Sequence, residues 1–168
     1  LGIDKVPPDK EAYLDIETTG LTPVYNKITV VGIYLCDGIN NDIVQLVGGD
    51  ITAGSIRDAL EGASVIYTYN GQSFDLPFIH SRLGIKLESL FGHHDLMYDC
   101  WRKNLYGGFK AVERRLGIER KLKDVDGREA VRLWWRYEDY SDTDALAKLL
   151  KYNEEDVLNL RVLKEMLL

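Results

Sequence analysis

The sequence predicts an α/β fold: a central mixed sheet of five to six strands, the first three antiparallel, flanked by helices. Three observations carry this. Strand-like runs joined by short turns crowd the first half, and apolar residues at helical spacing dominate the second. The 168 residues, 45% hydrophobic and 29% charged, suffice for a real hydrophobic core. A single domain over 1–168 is expected, and a start at Leu1 rather than Met is consistent with an excerpt of a longer chain.

The elements follow in order. Pro7 and Pro8 mark an extended entry. Ala12 to Ile16 reads as a buried strand ending at Thr18-Thr19-Gly20. Lys27 to Cys36 is rich in β-branched and aromatic residues, and Asp42 to Val47 repeats that pattern after an Asp37-Gly38 turn signal. Short connections between these strands suggest an antiparallel meander. Ser55 to Gly62 is expected to be a short helix with a Ser start and a Gly stop. Val65 to Tyr69 is a further strand, running into Asn70-Gly71. Phe74 to Leu83 carries helical spacing and stops at Gly84, and His94 to Cys100 is expected as a strand or a strand-to-helix junction. Helices are predicted over Phe109 to Leu116, with Gly117 as the stop, over Arg128 to Tyr137 and over Thr143 to Leu168.

Bulk properties narrow the function classes. No apolar run approaches the ~20 residues needed to span a bilayer, and no leader pattern opens the chain. Cys36 and Cys100 form no CxxC pair, so the expected location is a reducing cytoplasm, with no membrane partner. The net charge of −6 argues against a protein that coats nucleic acid. Between Trp101 and Lys123, however, eight basic residues face only Glu113 and Glu119, a local net charge of +6. That stretch reads either as a phosphate-handling surface or as a solvated helix face.

Three acidic signals carry chemistry. In Asp15-Ile16-Glu17-Thr18-Thr19-Gly20, strand alternation sends Asp15 and Glu17 to one face and Ile16 to the other. Two like charges side by side are costly without a cation between them, so the pair reads as half of a divalent-metal site. In Asn70-Gly71-Gln72-Ser73-Phe74-Asp75-Leu76-Pro77-Phe78, a strand ends and Asp75 falls in the opening turn of a helix, which by itself tolerates a carboxylate. In the last helix, Leu149, Tyr152, Asn153, Asp156, Leu160, Leu163 and Leu167 share one face, with Glu154 and Glu155 at the flanks or away. An aspartate on an apolar face needs a partner. No lysine or arginine lies on that face nearby, and a metal shared with Asp15 and Glu17 would supply one.

These residues resemble a known family. DIETTG, NGxxFDxPF and YxxxD, in that order, are similar to the three motifs of the DEDDy group of 3′–5′ exonucleases, within the ribonuclease-H-like superfamily. Phe109 to Ile118 and Tyr152 to Leu160 further resemble the YprB-like ribonuclease-H-like proteins. The resemblance spans most of the chain, from near residue 12 to near residue 160. It implies a ribonuclease-H-like fold and a 3′–5′ exonuclease acting on single-stranded DNA or RNA. The implied cofactors are two Mg²⁺ or Mn²⁺ ions about 4 Å apart. By the same resemblance Asp15 bridges both ions, Glu17 and Asp156 complete the one that holds the attacking water, and Asp75 holds the other. Tyr152 is expected to orient that water rather than deprotonate it, because a phenol with a pKa near ~10 is a poor base at neutral pH.

Expected substrate contacts are Thr18, Leu21, Asn70, Phe74, Lys110 and Arg114. Leu21 stands where related exonucleases press an apolar side chain against the terminal base, or is an ordinary loop leucine touching the core. Phe74 lines the same pocket or belongs to the core. Asn70 satisfies the strand-to-helix turn or bonds a phosphate. Lys110 and Arg114 lie one helical turn apart and meet the phosphate backbone or are solvated. The three histidines, Trp134-Trp135, Gly48-Gly49 and Gly107-Gly108 are read as structural, and Asp95 and Asp99, four apart, either as backing for the site or as solvated or locally capping. Two rival functions remain: a catalytically weak nucleic-acid-binding module on the same fold, and a hydrolase of short oligonucleotides.

Overall fold

A computed structural model describes residues 9–168; the Pro7-Pro8 entry lies outside them. Among the described residues the sheet has five strands, in the order β3-β2-β1-β4-β5. These are β1 (Lys10–Thr18), β2 (Ile28–Cys36), β3 (Asn41–Val47), β4 (Ala63–Thr68) and β5 (Gly92–Asp95). The first three pair antiparallel, as the short connections predicted, while β4 adds parallel to β1 and β5 parallel to β4.

The helices are α1 (Ala53–Ala59), α2 (Asp75–Leu83), α3 (Leu96–Arg102), α4 (Phe109–Leu116), α5 (Gly127–Tyr140) and α6 (Thr143–Leu167). Their ends obey local chemistry. Gly84 and Gly117 close α2 and α4 in left-handed conformations, at φ 72° and 71°. Asp126 and Asp142 cap α5 and α6 through the amides of Glu129 and Ala145. Several boundaries differ from expectation: β4 spans Ala63–Thr68, α2 begins at Asp75, and α5 runs from Gly127 to Tyr140. Thr52, not Ser55, caps α1, and Ser55 is the reciprocal member of a capping box, so the helix begins earlier and ends at Ala59. The predicted junction between His94 and Cys100 falls at Asp95, which ends β5 and caps α3 through the amide of Met97.

Strand alternation sorts the core into two sides. Ala12, Leu14 and Ile16 of β1, with Val31 and Ile33 of β2, pack under α1 and α2 against Ile56, Leu76, Phe78 and Ile79. On the opposite face, Tyr13, Tyr34 and Tyr67 meet Leu96, Val112, Val157, Leu160 and Leu163 from α3, α4 and α6. The odd-numbered side of β1 therefore looks toward α6, and Asp15 and Glu17 belong to that side. A third cluster, Val30, Leu133, Trp134, Ala145, Leu149 and Tyr152, joins α5 to α6 over the end of β2.

The topology leaves an opening at one place. β1 pairs with β4 only through Tyr13, whereas its pairing with β2 runs on through Thr18, with a bulge after Glu17. Beyond Tyr13 the backbone of β1 is bare on its β4 side. Open α/β sheets bind ligands where neighbouring strands part company at their carboxyl ends.

Candidate active site at the carboxyl end of the central strand

Asp15, Glu17 and Asp156 come together there. Each offers a carboxylate oxygen within 4.8 Å of the others. Asp15 and Glu17 are half-buried, and Asp156 is buried on the sheet-facing side of α6. Strand parity and helix periodicity thus converge on one point from 139 to 141 residues apart in sequence.

Asp75 sits beside this cluster rather than in it. Its Oδ2 accepts the amide of Ile16 at 3.0 Å, satisfying backbone that β4 left unpaired when it diverged. The buried carboxylate therefore ties the start of α2 to the strand between the two acids of the first motif. Asp95 is buried and combines the capping and backing roles left open for it: it caps α3, and its carboxylate also accepts the amides of Asn70 and Gln72, which fixes the loop leading to Asp75. Asp99 is likewise buried and pairs with His94 and Arg102.

The acids repel one another, and their proton affinities record it. Burial, then the charges of Asp156, Glu17 and Asp75, lifts Asp15 well above the usual carboxylate range. Burial and the charge of Asp156 push Glu17 up to about 8. Burial raises Asp75 to about 7 against the lowering effect of the Ile16 amide. Burial also raises Asp156, opposed by Arg120. A donor set of closely spaced, destabilised carboxylates fits a hard divalent cation, which prefers oxygen ligands and removes the repulsion.

Asp156 also has a cationic partner that sequence reasoning missed. None occurs on its helix face, as read, but Arg120 reaches it from the loop after α4. Arg120 is simultaneously gripped by Glu113, its Nε donating to both carboxylate oxygens at 2.9 Å. Glu113 is buried and accepts a hydrogen bond from Asn159 of α6 at 2.6 Å. Glu155, expected to point aside, is buried and accepts the amides of Lys121 and Leu122, which pins this loop to α6. The only signal in the sequence was the excess of basic residues around Arg120.

Asn153 is a second residue whose role went unread. It is fully buried, donates to both the carbonyl and Oδ2 of Asp15 at 3.2 Å, and accepts from Gln45 at 3.0 Å. The close approach needs Gly32, opposite Asp15 in the ladder: a Cβ there would collide with the Asn153 side chain.

Tyr152 is buried one turn before Asp156, and its phenolic oxygen accepts a hydrogen bond from Lys110, whose ammonium also lies 4.3 Å from the ring centroid. Burial, reinforced by Asp156, Glu17 and Asp15, raises the phenol above its ordinary range, so it holds its proton at neutral pH. With Asp15, Asp156 and Arg120, the Tyr152–Lys110 pair lines a cleft of about 300 Å³.

The remaining predicted contacts divide between two flanks. Thr18, Leu21 and Phe74 border a second cavity of about 520 Å³ together with Glu17, closed on its far side by Asp126 to Arg128 at the start of α5. Leu21 is 83% exposed, so it is not a core leucine. Phe74 is half-buried and packs on Phe78, 5.5 Å between ring centroids. Thr18 bonds the Gly20 carbonyl at 2.7 Å. Asn70 adopts φ 61° and serves the turn. On the other flank Lys110 is half-buried while Arg114 is exposed.

Comparisons with known proteins bear on this arrangement. A family model described as the RNase_H superfamily matches residues 12–168. YprB of Bacillus subtilis (strain 168) is 34% identical over 56% of this chain and 25% of its own length. MJ0365 of Methanocaldococcus jannaschii is 30% identical over 88% of this chain and 89% of its own. Among solved structures, Brucella melitensis NrnC bound to pGG superposes with a TM-score of 0.63 at 23% identity, covering 98% of this chain and 74% of that one. The family B DNA polymerase of Pyrobaculum calidifontis gives 0.62 at 16% identity, over 92% of this chain and 24% of the polymerase. At these identities the structural likeness shows a shared fold. The chain spans about a quarter of the length of YprB. Among the described residues no helix is long and apolar enough to cross a membrane.

Proposed function

The chain belongs to the RNase_H superfamily, and on that premise we propose that it is a metal-dependent 3′–5′ exonuclease of the DEDDy type, carried by one domain and acting on single-stranded DNA or RNA. The observation that carries the reading is the convergence of Asp15, Glu17 and Asp156 within 4.8 Å at the open end of β1. Asp15, Glu17 and Asp156 would hold divalent cations, with Asp75 contributing through water. Such cations supply Lewis-acid charge at the phosphate and a water of lowered pKa.

Tyr152 keeps its proton and has its oxygen held by Lys110, so its O–H is oriented to position a water or phosphate oxygen rather than to act as a base. Asn153 fixes the rotamer of Asp15, and Asp75 fixes the backbone between the two acids of β1. Leu21 and Phe74 offer apolar surface for the terminal base in the cavity next to Glu17, and Thr18 shapes that loop. Lys110 and Arg114 continue away from the acids on the other flank, where phosphates of the strand would pass. The Mg²⁺ and pGG in NrnC structures support the same chemical class.

Incubating 5′-labelled single-stranded DNA and RNA with Mn²⁺ or Mg²⁺ tests the proposal. Stepwise shortening is expected with either cation and none in EDTA. A protein that loads metal yet leaves every long strand intact would contradict it. Cleavage confined to dinucleotides would point instead to a short-oligonucleotide hydrolase.

A further inference from the structure

Arg120 is an unusual neighbour for a cation site. Its side chain is 9% exposed and its guanidinium bridges Glu113 and Asp156. Glu113 alone can retain it, since Nε and Nη2 both reach that carboxylate at 2.9 Å. Nη1 is buried and has no hydrogen-bond partner among the described residues. A buried donor left unpaired is costly, so the present arrangement is incompletely satisfied. The guanidinium and Lys110 line the same cleft as Asp15 and Asp156, and Lys110 is spent there on the phenol of Tyr152.

Resting on the nuclease reading, we propose that Arg120 is a resident counter-ion of the acidic cluster which divalent cations displace from Asp156, and that the displaced guanidinium, pivoting on Glu113 beside Lys110, then binds the phosphate of the substrate or product. The pivot keeps the charge at the cleft: Glu113 is itself held by Asn159, one helical turn from Asp156 on α6. A guanidinium and a divalent cation on one carboxylate repel each other, which drives the exchange. A phosphate oxygen supplies the acceptor that Nη1 lacks and suits the forked donors of arginine. Metal and phosphate therefore bind with positive coupling that passes through Arg120.

Calorimetric titration without nucleic acid tests this, because neither probe is turned over. Mn²⁺ alone should bind Arg120→Gln about tenfold more tightly than wild type, since no guanidinium competes for Asp156. A nucleoside 5′-monophosphate, titrated with Mn²⁺ present, should bind the same variant about tenfold more weakly. Should loss of Arg120 leave Glu113 too poorly compensated to fold, the double variant Glu113→Gln/Arg120→Gln removes both members of the pair and should shift both affinities in the same directions. Equal or weaker Mn²⁺ binding by the variants, or none by any protein, would overturn the displacement and make Arg120 a partner that merely orients Asp156. Unchanged monophosphate affinity would overturn the phosphate assignment. Variants that show both shifts, while the wild type cuts no strand, would refute the nuclease reading and leave the displacement of Arg120 intact.

Discussion

The cleft has an acidic floor and a basic wall, and the two are built differently. The floor stands on regular structure: Asp15 and Glu17 on the central strand, Asp156 on a 25-residue helix packed across the sheet. Its side chains are held by further buried groups, Asn153 above Asp15 and the Ile16 amide on Asp75. The wall stands on an 8-residue helix and the irregular loop that follows it. Its cations are attached to the floor itself, Arg120 to Asp156 and Lys110 to Tyr152. A rigid floor suits a cation that demands fixed ligands, whereas a wall on a loop can exchange partners when that cation arrives.

Perturbing the floor should have the largest effect. Asp15→Asn is expected to reduce strand shortening by more than about 100-fold, beyond what removal of an outer partner costs. Circular dichroism should show the fold intact, because the change removes a buried repelling charge. An active variant would move catalysis away from Asp15.

Next comes the support of the floor. Gly32→Ala should drive Asn153 off Asp15, weaken Mn²⁺ binding by about 10–100-fold and cost about 1–3 kcal/mol in denaturant unfolding. Unchanged metal affinity would show that Asn153 does not set the Asp15 geometry.

The wall should respond more mildly and differently. Lys110→Ala with Arg114→Ala should lower strand affinity and reduce its salt slope by about one for each phosphate that these side chains neutralise. Metal affinity should stay near wild type. If the salt slope does not change, Arg114 is a solvated side chain and Lys110 serves Tyr152 alone.

Acidity separates floor from wall without mutation. Glu17 at about 8 and Asp75 at about 7 bind protons more tightly in the folded chain than ordinary carboxyls do in the unfolded one. The folded state then holds more protons between the ordinary carboxylate range and about 8, so stability falls as pH rises through that window. The metal-free Tm should accordingly decrease from pH 5 to pH 8, and Mn²⁺ should raise it more at pH 8 than at pH 5. A metal-free Tm that climbs over this range would contradict the repulsion assigned to the floor. Leu21→Ala should have the smallest effect: stability within about 0.5 kcal/mol, with KM for the strand raised a few-fold.

The same division explains what could be read in the sequence. Parity along β1 and periodicity along α6 put Asp15, Glu17, Tyr152 and Asp156 on the correct faces before any coordinates, because those positions depend only on local geometry. The sheet, its antiparallel start and the stops at Gly84 and Gly117 were legible for the same reason. Arg120, Glu113 and Glu155 were not. Their pairing depends on a loop folding back over a helix some 35 residues away, and no periodicity encodes it. Gly32 and Asn153 were hidden because their contact crosses from the sheet to α6, and Asp75 looked like an ordinary helix-start acid until β4 was seen to leave the Ile16 amide bare.

Anomalous diffraction from crystals grown with Mn²⁺ and a nucleoside 5′-monophosphate tests the floor and the wall together. The expected result is a manganese peak about 2.0–2.6 Å from oxygens of Asp15, Glu17 and Asp156, with Arg120 turned from Asp156 to the phosphate. A cluster without manganese at saturating concentration, and Arg120 still on Asp156, would contradict the metal-dependent centre.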